Sequence, residues 1–86
     1  METIDEIYLE CINDYSCKFY LLRLVAEEDG TFSVRSRYGL LGTIGYQHAS
    51  AEHVTEDVAR KAYEALIRQK TARHGYILGK QPEYLA

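Results

Sequence analysis

The sequence predicts an α+β domain, a small antiparallel β-sheet of three to five strands with one long amphipathic helix packed on one face. Three observations carry this. Short apolar or alternating runs bounded by turn residues occupy the chain up to about His53, a helical period then holds from Thr55 to His74, and an Asp29-Gly30 pair joins the two clearest strand segments. A chain of 86 residues, 47% hydrophobic and 27% charged, has the composition of an ordered globular domain and the length for a single core.

The first strand is expected from Ile7 to Ile12, an apolar-rich run with β-branched and aromatic content in which Ile7, Leu9 and Cys11 alternate with Tyr8, Glu10 and Ile12, and Asn13-Asp14-Tyr15-Ser16 supplies its turn. Lys18 to Ala26 is apolar on both alternations, as a central strand covered on both faces requires. After Glu27-Glu28-Asp29-Gly30 the chain alternates again from Thr31 to Tyr38. Phe32, Val34, Ser36 and Tyr38 fall on one side, and Thr31, Ser33, Arg35 and Arg37 on the other. Gly45 to His53 reads as a polar edge strand.

Thr55 is placed as a helix N-cap with Glu56 and Asp57 in the first turn, and Val58, Ala59, Ala62, Tyr63, Leu66 and Ile67 mark the apolar face. Glu56 with Arg60, Asp57 with Lys61 and Glu64 with Arg68 form acid-first pairs four apart. Lys70, Arg73 and His74 suit the negative end of the helix, and Gly75 ends it. Tyr76-Ile77-Leu78 returns to the core. A single domain over residues 1–78 with a C-terminal tail at 79–86 is the expected organisation.

Charge is divided along the chain. Residues 1–29 carry eight acids against Lys18 and Arg23, and residues 30–86 carry eight bases against five acids, for an overall −3. Strong electrostatic binding of duplex nucleic acid is excluded by that balance, so any such contact is local. Cys11 and Cys17 have no companion pair and no histidine at zinc spacing, which points to free thiols and no metal. The acidic opening Met-Glu-Thr-Ile-Asp-Glu is followed by no apolar signal core, and no run reaches the about 18 apolar residues of a membrane helix. A cytoplasmic location follows as an expectation, with no membrane partner.

The densest local signal is Arg37-Tyr38-Gly39-Leu40-Leu41-Gly42-Thr43-Ile44-Gly45, with glycines three apart. Glycine reaches positive φ without steric cost, so Gly39, Gly42, Thr43 and Gly45 read as a structural turn. A nest of amides for an anion is the alternative. Arg35 and Arg37 beside Tyr38 are the one place where base and aromatic interleave, as at a nucleic-acid face. Strict alternation points Tyr38 away from the two arginines, and a solvated hairpin face is the favoured reading of them, because exposed arginine is common. Tyr38 reads either as a ring at the edge of the core or as a binding platform. His48, His53 and His74 stand at no catalytic or metal-binding spacing, and no nucleophile elbow, phosphate loop or dinucleotide fingerprint is present. No enzyme activity, cofactor or small-molecule substrate is expected.

Several features in order resemble one family. Lys18-Phe19-Tyr20 opens the central strand, Glu28-Asp29-Gly30 makes the hairpin, and Arg35-Ser36-Arg37 leads into Tyr38-Gly39-Leu40 and Gly42-Thr43-Ile44-Gly45. Lys70-Thr71 and Gly75-Tyr76 then follow at the helix end. Over about residues 8 to 78 the chain resembles the WGR domain, named for a Trp-Gly-Arg triplet that precedes Gly-Thr-x-Gly. Here the triplet reads Tyr-Gly-Leu. The resemblance implies a small sheet with one helix, found in poly(ADP-ribose) polymerases and in bacterial proteins, where the module of the polymerases helps to bind DNA breaks. It implies a standalone binding domain that contacts DNA ends weakly through Arg35, Arg37, Tyr38 and Gly39. The alternative is a protein–protein interaction or regulatory module. Tyr38 retains an aromatic platform, whereas Leu40 lacks the guanidinium and its donors.

Overall fold

A computed structural model describes residues 1–85. Its strands are β1 (Glu2–Ile12), β2 (Cys17–Ala26), β3 (Phe32–Leu40), β4 (Tyr46–Val54) and β5 (Ile77–Leu78), with α1 (Glu56–Arg73) between β4 and β5. The strands form one antiparallel sheet in the order β4-β3-β2-β1-β5. β2, apolar on both alternations, lies at its centre, and the polar β4 forms one edge.

Alternation divides the apolar residues between the two faces. Leu9, Cys11, Tyr20, Leu22, Leu24 and Val34 join Ala59 and Tyr63 of α1 in the main core, with Tyr76 at its end. On the other face Tyr8, Phe19 and Leu21 form a second cluster with Leu85. Residues expected as a tail thus place Leu85 against the sheet, and a short 3-10 turn over Glu83–Leu85 brings it there. Ala86, the last residue of that expected tail, lies outside the described residues.

The helix begins and ends by the chemistry its termini encode. The Thr55 hydroxyl accepts the Val58 amide at 3.4 Å. Gly75 adopts φ 73°, and the Tyr76 amide bonds the Lys70 carbonyl at 3.1 Å, one residue wider than the six-to-one bond of a Schellman motif. That stop turns the chain into β5 and fixes Tyr76 beside Tyr20.

Two expectations for the helix are corrected. Val58 is 51% exposed, because at about 100° per residue it falls about 140° around the helix from Tyr63, off the covered stripe. The three acid-first pairs do not close among the described residues. Arg60 turns instead to Asp5 on β1, at 3.7 Å. No described helix is long and apolar enough to cross a membrane.

Candidate nucleic-acid interface

Three strands and the segment after α1 bring four tyrosines into one row at the end of the sheet where α1 stops. Tyr20 pairs with Tyr38 across β2 and β3, and Tyr38 with Tyr46 across β3 and β4. The Tyr20 and Tyr38 rings stack with centroids 5.4 Å apart and planes 11° apart. Tyr46 tilts at 47° with its centroid 6.2 Å from that of Tyr38, and Tyr76 meets Tyr20 edge-on at 6.0 Å. These separations lie in the range of favourable aromatic pairs. Burial falls along the row: Tyr76 and Tyr20 are buried, Tyr38 is 37% exposed and Tyr46 is 73% exposed. The inner rings are anchored and the outer ones present surface.

Cations stand at the anchored end of the row. The Lys70 ammonium lies 4.6 Å from the Tyr20 ring centroid, and that of Lys18 lies 5.9 Å from Tyr76. Burial raises the pKa of the Tyr76 phenol, with smaller contributions from Cys11 and Tyr20, so this ring stays neutral beside the Lys18 ammonium. The acidic Glu27-Glu28-Asp29 turn joins β2 to β3 at the opposite end, since Ala26 pairs with Phe32 there and Lys18 with Leu40 here. The Tyr38 end is therefore relieved of that negative triplet. Partly exposed rings near fixed ammonium groups offer a stacking face for a sugar or base and charge for phosphate.

The glycine loop that follows Tyr38 is locked to the rest of the fold. Gly42 has φ 89° and Gly45 has φ 69°. A Cβ on Gly45 would collide with the Tyr38 carbonyl, and one on Gly39 would stand 2.9 Å from Gly45 Cα. The two ends of the loop thus touch through backbone that only glycine leaves room for. The Thr43 hydroxyl donates to the Leu40 carbonyl at 2.7 Å, and the Gly42 amide donates to the Tyr84 hydroxyl at 3.1 Å. Thr43 also donates its amide to Leu40, at 3.1 Å. With two amides already engaged, the loop is a built turn more than an anion nest.

Arg35 and Arg37 are not brought to Tyr38. β3 keeps an unbroken register against β2 through Leu40, so both arginines lie on the other face, paired with Arg23 and Leu21. Arg35 donates to Glu27 at 2.6 Å, and Arg37 Nη1 donates to the Ile44 carbonyl at 2.9 Å. The sequence-based grouping therefore separates onto two faces of the sheet, Tyr38 on one and the arginines on the other, with Arg37 tied to the glycine loop at Ile44. Tyr20, Tyr46, Tyr76 and Lys18 are the members of the row that the sequence reading did not assign to the site. One signal was present: Tyr20 and Tyr38 stand equally far from Asp29, so closing the hairpin there sets them opposite each other.

Fold and site together define a small α+β module that carries an aromatic row at one end of its sheet. A family model described as the WGR domain matches residues 5–82, nearly the whole chain, and the chain belongs to the WGR family. No curated protein and no solved structure matches it.

Proposed function

We propose that this WGR domain binds nucleic acid weakly at the Tyr38 end of its sheet, with a preference for DNA ends. The observation that carries the reading is Tyr38 itself, a partly exposed ring stacked on the anchored Tyr20, over which Lys70 holds its charge. A ring held from behind loses little freedom when a sugar or base covers its free side, and such stacking is worth about 1 to 3 kcal/mol per base. The end preference rests on the WGR resemblance, in which the aromatic of the triplet packs on the sugar at a 5′ end. Lys18 and Lys70 supply the charge in place of Arg35 and Arg37, with Arg73 in the same last turn of α1 as Lys70. With only about 2 to 4 phosphates neutralised, affinity is micromolar or weaker at moderate salt. The domain acts by binding and performs no reaction.

An NMR titration of labelled protein with a short duplex bearing free 5′ ends tests this. Signals of Tyr38, Tyr46, Lys70 and Tyr76 should move, and the movement should fade as salt is added. Shifts confined to other surfaces, or none at low salt, would remove the proposal.

A further inference from the structure

The face of the sheet opposite α1 carries a groove of about 530 Å³ that the Tyr38 site does not use. Leu21 and Val25 lie in its floor, Arg23, Arg35 and Arg37 cross it, and Gln47, His48 and Ala49 of β4 form its rim. Its volume is that of a ligand site.

One feature of the arginines points to an acceptor from outside the chain. Glu6 pairs with Arg23 and Glu27 with Arg35, each at 2.6 Å, but Arg37 has no carboxylate partner among the described residues. A guanidinium has donors in a planar fork that matches a carboxylate, so one added carboxylate would pair with the unmatched Arg37. Repeated phosphates would not fit as well, because Glu6 and Glu27 already neutralise two of the three arginines and repel further negative charge.

The rim adds a second requirement. β4 is the open edge of the sheet, and Tyr46 to Val54 contains no proline, lysine or arginine, the residues that commonly protect such an edge. Its register is irregular toward Ala51 and Val54 but regular from Tyr46 to Ala49, directly beside Arg37 and Arg35. Backbone groups on that regular stretch are placed to accept another strand. Alternate side chains of such a strand would project over the groove, where Gln47 and Ala49 already point.

We infer that β4 and the arginine groove form one docking site for an extended peptide bearing a single carboxylate, which adds a strand along Tyr46–Ala49 and places that carboxylate at Arg37. The groove lies on the opposite face from Tyr38, and the docked strand meets the nucleic-acid site only at Tyr46.

The test uses the labelled full chain and a short blocked peptide of strand-forming residues with one central glutamate. Its glutamine counterpart and inorganic phosphate serve as the other probes. The glutamate peptide should shift the amides of Gln47, His48 and Ala49 and the Arg37 side-chain signal, and the glutamine peptide should bind about tenfold more weakly. Arg37→Gln should weaken the glutamate peptide to the same degree. Because Arg37 also holds Ile44, the two-peptide comparison on the unaltered protein is decisive whatever that variant does to the loop. Equal binding of the two peptides, or no shift along β4, would overturn the inference. The same shifts produced equally well by inorganic phosphate would also overturn it, leaving a simple anion pocket.

Discussion

Gly45 shows what a single position contributes to the candidate site. Its φ of 69° and its approach to the Tyr38 carbonyl leave no room for a methyl group. Gly45→Ala should therefore destabilise the domain by more than about 1 kcal/mol, where the same change at a permissive site would stabilise it slightly. Denaturant melts read this directly, and an unchanged midpoint would refute the loop geometry. Glu27 gives a pH-dependent counterpart. Hydrogen bonds from Arg35, first, and from Ser33 hold its carboxyl below the ordinary glutamate range. A depressed folded pKa contributes stability that is complete above the unfolded value, about 4.3, and is lost as pH falls through the folded one. Acid melts of Glu27→Gln should thus show a flatter loss of stability below about pH 4.3 than the parent chain. At this scale the sequence was informative about glycine, whose chemistry is local. It was ambiguous about the arginines, since strict alternation already set Arg35 and Arg37 against Tyr38 while the base-aromatic pattern suggested a shared site.

Among the elements, α1 is the clearest case of local rules agreeing with tertiary packing at its ends and departing in its first turn. Thr55, the acidic first turn, Gly75 and the basic last turn all act where the sequence places them. Val58 does not, because a one-dimensional stripe is wider than the strip of sheet that covers it. Tyr63, 3% exposed, lies at the centre of that strip. Tyr63→Ala should cost about 3 to 5 kcal/mol as a buried aromatic deletion, and Val58→Ala should cost under about 0.5 kcal/mol. Equal effects in thermal or denaturant unfolding would mean that the helix is rotated from its place here. The hairpin of β2 and β3 was legible for a similar reason: its Asp-Gly turn fixes a register that pairs Tyr20 with Tyr38. β5 was not legible as a strand, since two residues hold no pattern and their pairing with Leu9 and Glu10 depends on the helix stop.

For the whole molecule, the fold class was readable because strand periodicity, turn residues and helix caps each act over a few positions. The aromatic row was not, because its rings come from residues 20, 38, 46 and 76 and meet only when β2, β3, β4 and the segment after α1 are assembled. The same assembly separates the Tyr38 end from the Glu27-Glu28-Asp29 turn, which lets a chain of net charge −3 keep a locally cationic end. Few cations stand there, so the log of affinity should fall with the log of salt at a slope of only about −2 to −4. The most direct measurement compares the parent chain with Tyr38→Ala on a linear duplex and on a closed circle of the same sequence at low salt. The account predicts that the substitution weakens binding to the linear duplex by about 1 to 3 kcal/mol, the value of a stacked ring, and leaves binding to the circle nearly unchanged. Equal losses on both substrates, or no loss on the linear one, would contradict it.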